Sequence, residues 1–225
     1  MSGTPSGAGN GVVLSVNVGQ ARELLLRGKP QPTGIFKEPV EGRVRLADDG
    51  VEGDLQADRS AHGGPRKAVY SYTAEDYAWW EQELGTRLPP ATFGENLTIE
   101  GISATDALVG ERWAIGSAIL EVTQPREPCW KLGEKMGDPQ FPRRFRQAGR
   151  AGAYLAIVQE GVVGAGDPVR VLHRPSHPVS IGLLAHLRRI DQRLAYLVMG
   201  LAGEEISPEE WDELLGPLQL PANFP

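Results

Sequence analysis

The stretch AILEVTQPREPCW, residues 118–130, decides how this chain is read. Its first half alternates Leu120 and Val122 with Glu121 and Thr123, as a strand with one face in a core must. Its second half leaves that pattern. Pro125 and Pro128 fix φ, lack backbone donors and bias the residues before them toward extended backbone. The result is a preset loop at a strand end, and that loop carries Cys129, the one cysteine in the chain. A lone cysteine most often behaves as a small buried hydrophobe. Here Arg126 and Lys131 lie close in sequence, with Arg150 further on. Cations favour the thiolate, the form that attacks electrophiles and binds metals.

The same texture extends on both sides. Short β-branched runs recur between Gly and Pro punctuation at 12–18, 43–46, 68–72, 96–99, 153–159 and 169–173. Many short strands with Gly-rich turns suggest a sandwich or a closed barrel. Residues 153–172 read as a hairpin, AYLAIVQ-EG-VVG, followed by a further strand. Two helices interrupt the strands. TAEDYAWWEQEL opens with Thr73 as N-cap and places Tyr77, Trp80 and Leu84 on one face. DPQFPRRFRQAG sets Phe141, Phe145 and Ala148 on one face and its arginines mostly on the others. After residue 175 three short helices follow, the last with Ser207, Pro208 and Glu210 at N-cap, N1 and N3.

Composition narrows the function classes. The 225 residues include 23 basic and 29 acidic side chains, a net charge of -6, which argues against a protein built to coat nucleic acid. The surplus is uneven. The last 25 residues carry six acids and no base, whereas Arg126 to Arg150 is rich in Arg and Lys. A single cysteine excludes an intramolecular disulfide framework and a Cys-rich zinc site, and fits a reducing compartment. The small, polar N-terminus reads as a flexible tail rather than a secretory signal. No apolar run has the length of a membrane span, so the expectation is a soluble, cytoplasmic protein with no membrane partner.

Two further stretches carry chemistry. GDLQADRSAHGGPRKAV, residues 53–69, combines Gly63 and Gly64 with Arg59, His62, Arg66 and Lys67. Amides exposed in such a turn can cradle an anion. The spacing is not that of a P-loop. In FGENLTIEGI, residues 93–102, Glu95 and Asn96 are either loop hydrogen-bonders or polar groups aimed at a ligand from a strand start. A cysteine nucleophile of the protease type needs a His base, and of the four histidines His62 is the candidate partner for Cys129.

VEGDLQAD (51–58), HGGPRKAV (62–69), FGENL from Phe93, GERWAIG (110–116), PREPCW (125–130) and GVVGAGD (161–167), in that order, resemble the MOSC domain, the domain at the C-terminus of molybdenum cofactor sulfurases. The likeness is to its stand-alone YiiM-type branch and covers about residues 10–175. The tail resembles the three-helix module that often follows this domain. One departure is Arg66, where relatives commonly carry an acid.

The resemblance implies a mainly β fold, a mostly antiparallel barrel with a few peripheral helices. It divides the chain into a tail (1–10), a MOSC barrel domain (11–175) and a three-helix module (176–225). It implies that molybdenum cofactor is bound with Cys129 as the protein's thiolate ligand to Mo, a soft donor suited to a dithiolene-bound metal. By position it assigns His62, Gly63, Gly64, Lys67, Glu95, Asn96 and Arg126 to cofactor binding; Arg59 beside the glycine turn and Arg150 at the end of the basic segment are expected to join them as cations. His62 or Glu95 would relay protons. The implied reaction reduces N-hydroxyl compounds, R–NHOH to R–NH2, by oxygen-atom transfer to Mo. Its implied partners are a small N-hydroxyl substrate and a separate electron-donor reductase, with the chain itself as a homodimer. Stable nucleic-acid binding is not expected. The rival readings are a carrier of the cofactor or of persulfide sulfur, and a cofactor-free thiol enzyme using Cys129 and His62.

Overall fold

The computed structural model describes residues 10–48, 50–57 and 63–216. Their strands are β1 (Asn10–Gly19), β2 (Arg22–Leu26), β3 (Lys29–Thr33), β4 (Lys37–Pro39), β5 (Arg43–Ala47), β6 (Gly50–Val51), β7 (Val69–Thr73), β8 (Leu97–Glu100), β9 (Arg112–Ile115), β10 (Ala118–Pro125), β11 (Ala153–Gln159), β12 (Gly161–Gly164) and β13 (Pro168–His173). Their helices are α1 (Ala74–Leu84), α2 (Trp130–Met136), α3 (Phe141–Ala148), α4 (Ile181–Ile190), α5 (Gln192–Leu201) and α6 (Pro208–Leu215).

The strands run β13-β9-β10-β11-β7-β8-β1, and β1 returns to β13, which closes a barrel. Closure rests on the first residues of β1. Asn10, Gly11 and Val12 pair with Arg170, Val169 and Pro168, while Val12 to Val16 also face β8 across a bulge at Val13/Ser15. A closed barrel has no free edge in that circuit. The pairing is antiparallel except between β7 and β8, and α1 makes the crossover that a parallel pair needs. Among the fully buried side chains of the interior are Val13, Leu97, Ile99, Trp113, Leu120 and Val122.

Strand β10 alternates buried and half-buried residues from Ala118 to Glu121, then stays buried from Val122 to Pro125. The alternation ends where α4 covers the outer face, with Arg188 bonding Gln124 and Pro125. A second, aromatic layer holds α1, α2 and α3 against β7 and includes Tyr72, Trp80, Phe93, Phe141 and Phe145. Trp80 stacks on Phe145 at 5.9 Å and 5°, and its Nε1 donates to the Tyr72 hydroxyl at 2.9 Å. A third cluster joins α4, α5 and α6 through Leu183, Leu187, Val198 and Trp211, packed on Val109 and Val179.

The caps read from sequence are formed. Thr73 accepts from the Asp76 amide at 3.1 Å, and Ser207 with Glu210 makes a capping box on α6. The expected hairpin after residue 153 is not. Strand β11 has β10 on one side and β7 on the other, so no edge remains for β12, which pairs with β5 instead. Helix α2 was not expected; it is short and carries Gly133, a poor helix former, packed close to the Asp138 carbonyl.

Candidate functional site

At one end of the barrel several loops surround a cavity of about 90 Å³. The end of β3 gives Thr33, the turn after it Gly34 and Ile35, β4 gives Lys37, and the segment after β6 gives Asp54 to Ala57. Tyr70 and Tyr154 come from β7 and β11, and the loop after β10 gives Arg126 and Cys129. Lys67 and Lys131 complete the cationic part of the lining.

Lys37 and Asp54 form a buried ion pair in its wall, with side chains 8% and 4% exposed. The Asp54 carboxylate also accepts from the Gly19 amide at 2.7 Å and from Asn96 Nδ2 at 2.9 Å. Every one of these bonds is needed, because a carboxylate taken out of water must be both paired and hydrogen-bonded. Burial pulls the Lys37 ammonium below its ordinary range, against the opposing pull of Asp54. Asn96 is the brace behind the pair: its Oδ1 accepts from the Tyr70 amide at 3.1 Å and its own amide donates to the Tyr70 carbonyl at 2.7 Å.

The loop of Cys129 is clamped from two sides. Inside, Arg126 is buried, donates to the Phe93 carbonyl and lies 4.9 Å over the Tyr70 ring. Outside, Arg188 of α4 donates to the Pro125 carbonyl at 2.9 Å and to Gln124 Oε1 at 3.0 Å, while Arg146 of α3 holds Glu127 and the Pro128 carbonyl. Cys129 is half-buried and stands as N-cap of α2, with no capping bond from its side chain. The prolines preset the loop and three arginines fix it, leaving the sulfur to the cavity.

A second cavity, of about 720 Å³, opens beyond the thiol. Lys67, Cys129 and Tyr154 line both. Its other walls come from α3, α4 and α5, with Arg143, Arg146, Arg188, Arg189 and Tyr196 among them.

The residues expected from sequence divide into four groups. Lys67, Asn96, Arg126 and Cys129 converge on the first cavity. Gly64 sits beside it with φ 87°, a left-handed conformation suited to glycine, and its amide donates to Gln56 at 3.1 Å; Gly63 precedes it in the same turn. Glu95 and Arg150 do not line either cavity. Glu95 is fully buried and accepts from the Tyr77 hydroxyl, the Ala91 amide and the Thr98 hydroxyl, so it is the loop hydrogen-bonder of the two readings. Arg150 turns to α1, where it pairs with Asp76 at 2.6 Å and lies 4.9 Å over Trp79. Arg59 and His62 lie outside the described residues.

Nothing in the sequence singles out Lys37, Tyr70 or Tyr154 as site residues, and Asp54 stands there only inside GDLQADRSAHGGPRKAV and VEGDLQAD. Nothing local marks Lys37. Its partner is 17 residues away and meets it only through the β4 and β6 connections.

Fold and site together define a class: small closed β-barrels with a cation-lined ligand cavity beside a single fixed thiol. The family model described as "MOSC domain" matches residues 58–170. The uncharacterized protein YflK of Bacillus subtilis is 36% identical over 199 residues, 88% of this chain and 90% of YflK. A protein named "Reductase" from Gibberella moniliformis is 32% identical over 173 residues, 73% of this chain but 30% of its own length. The crystal structure of YiiM from Geobacillus stearothermophilus superposes with a TM-score of 0.69 at 28% identity, covering 92% of this chain and 98% of that one. The chain belongs to the MOSC domain family.

Proposed function

We propose that this chain binds molybdenum cofactor in the inner cavity and reduces N-hydroxyl compounds, R–NHOH to R–NH2. The observation that carries the reading is the position of Cys129: a lone thiol, free of capping duty, on the wall of a cavity that also presents Lys67, Arg126 and Lys131. That donor set suits an anionic, sulfur-ligated metal group, with a soft thiolate for the metal and cations for phosphate and pterin edge. Family membership and a relative named "Reductase" support it.

When bound, the cofactor supplies the acceptance of an oxygen atom that N–O cleavage requires. The protein's part is placement. Cys129 would hold the metal, Arg126 offers a buried positive charge stacked on Tyr70, and the Lys37–Asp54 pair keeps the wall rigid. Burial raises the Tyr70 and Tyr154 hydroxyls well above neutral pH, so both stay protonated and face the cavity as neutral groups. Glu95 lies off both cavities with three donors on its Oε1, so we assign the proton relay to His62. The overall change is R–NHOH with two electrons and two protons giving R–NH2 and water. The sequence has no flavin, nicotinamide or iron–sulfur motif, so the electrons come from a separate reductase.

Protein made in a cofactor-competent host should carry molybdenum at parity with chains, and Cys129→Ser should lose it. The loaded protein, with a chemical reductant, should turn over a hydroxylaminopurine or an amidoxime. Loaded protein that is inert toward both under strong reduction would leave only a carrier of the cofactor or of sulfur.

A further inference from the structure

The outer cavity is a cationic recess in an acidic protein. Against a net charge of -6, it gathers Lys67, Arg143, Arg146, Arg188 and Arg189 around one acid, Glu127, which Arg146 already holds. The cations come from separate elements: α3 gives two, α4 gives two, and Lys67 follows the glycine turn. Arg188 is held by Gln124 and Pro125, so its charge is fixed in place. Arg143 and Arg189 are exposed and make no side-chain hydrogen bond or ion pair among the described residues. Two aromatic rings share the lining: Tyr154 on the inner side and Tyr196, 51% exposed, on the outer. Cys129 is on the boundary between this recess and the inner cavity.

We infer that the outer cavity is the substrate's own site and takes a phosphorylated aromatic molecule of nucleotide size, its phosphate on Arg143 and Arg189 and its ring between Tyr196 and the thiol. This deepens the proposed reaction and rests on it for the direction in which the ring points. Planar guanidinium groups bind phosphate with paired hydrogen bonds, and tyrosine faces receive a flat ring at small entropic cost. The recess, of about 720 Å³, falls in the upper part of the range of small-ligand sites, roughly 300–1,000 Å³, room for a base, a sugar and a phosphate together. Here the cations line a concavity with the thiol at its inner end.

The test is calorimetric titration of the purified chain at low salt with adenosine 5′-monophosphate, adenosine and inorganic phosphate, none of which requires molybdenum. The nucleotide should bind, with adenosine and phosphate each weaker by about tenfold or more, the scale of a lost charge-assisted bond. The double variant Arg143→Glu with Arg189→Glu should weaken the nucleotide by about tenfold or more. Arg170→Glu, a single reversal of the same kind on the exposed face of β13, should leave it unchanged, and each of Arg143→Glu and Arg189→Glu alone should weaken it. Equal binding of nucleotide and adenosine, or no response to the double reversal, overturns the anion site. Inorganic phosphate as tight as the nucleotide overturns the aromatic part. A double reversal that slows only reduction by an acidic donor protein, with no nucleotide binding, makes the recess a docking face and overturns the inference. Nucleotide binding by a chain that reduces no N-hydroxyl compound counts against the proposed reaction and not against the site; reduction of an uncharged N-hydroxyl base without nucleotide binding does the reverse.

Discussion

Lys135 donates to the carbonyls of Ile35 and Ala91, one turn behind the site, from a largely buried position. Burial, with Arg126 and Lys37 nearby and Glu95 opposing them, pulls its ammonium from 10.5 to about 8. Between those values the unfolded chain holds a proton that the folded chain has released. Folding stability therefore rises with pH across that window and is lowest below it. The full swing is on the order of 3 kcal/mol, since a tenfold change in proton affinity is worth about 1.4 kcal/mol. In Lys135→Met this rise should vanish. Urea unfolding of both proteins at pH 7 and pH 10 checks it: the difference between wild type and variant should shift toward the wild type at the higher pH. A difference that does not move with pH would show that the lysine stays charged. Of the residues expected from sequence, Cys129 and Arg126 were readable because prolines and a strand end mark their loop. Glu95 and Arg150 were misplaced because residue type does not reveal which way a buried side chain points. Only the aromatic layer and α1, assembled from distant segments, turn them away from the cavity.

At the scale of elements, α4 is the strut of the site. It covers the outer face of β10 and grips the Cys129 loop through Arg188. Arg188→Ala should cost about 2 kcal/mol, the worth of a charge-assisted pair of bonds less some solvent compensation. Its more telling effect should be local. The loop should open more often, and Cys129 should react with a disulfide reagent several-fold faster, at a rate measured well below the unfolding transition. An unchanged thiol rate would mean that the prolines and Arg126 suffice. Thr73 and Ser207 show how caps announce helices from sequence alone, since each cap is a contact within one turn. Helix α2 shows the reverse: seven residues with an internal glycine give no periodic signal, and the helix exists because it packs under the aromatic layer.

At the scale of the molecule, the strand-rich texture left sandwich and barrel equally open; the family likeness chose between them. Closure depends on β1 meeting β13, a pairing between Asn10 and Arg170 that no local pattern records. The same distance explains the lost hairpin, because β12 is displaced by two strands from elsewhere in the chain. Trp80, Trp113 and Trp211 are each at most 3% exposed and report on the aromatic layer, the barrel and the helical cluster. Because Val109 and Val179 pack into the helical cluster and α4 grips β10, the three should melt together. Denaturant curves by tryptophan fluorescence and by far-ultraviolet circular dichroism should coincide. A separate early fluorescence transition would make the last three helices an independent unit.

The thiol common to both cavities also has a practical consequence. A sulfur on the boundary between two chambers can be shielded from either side, so one alkylating reagent senses both occupants. Protection by a molecule in the inner chamber should survive reversal of Arg143 and Arg189, whereas protection by an anion in the outer recess should disappear with it. Cys129 thus offers a chemical gauge of which room is filled.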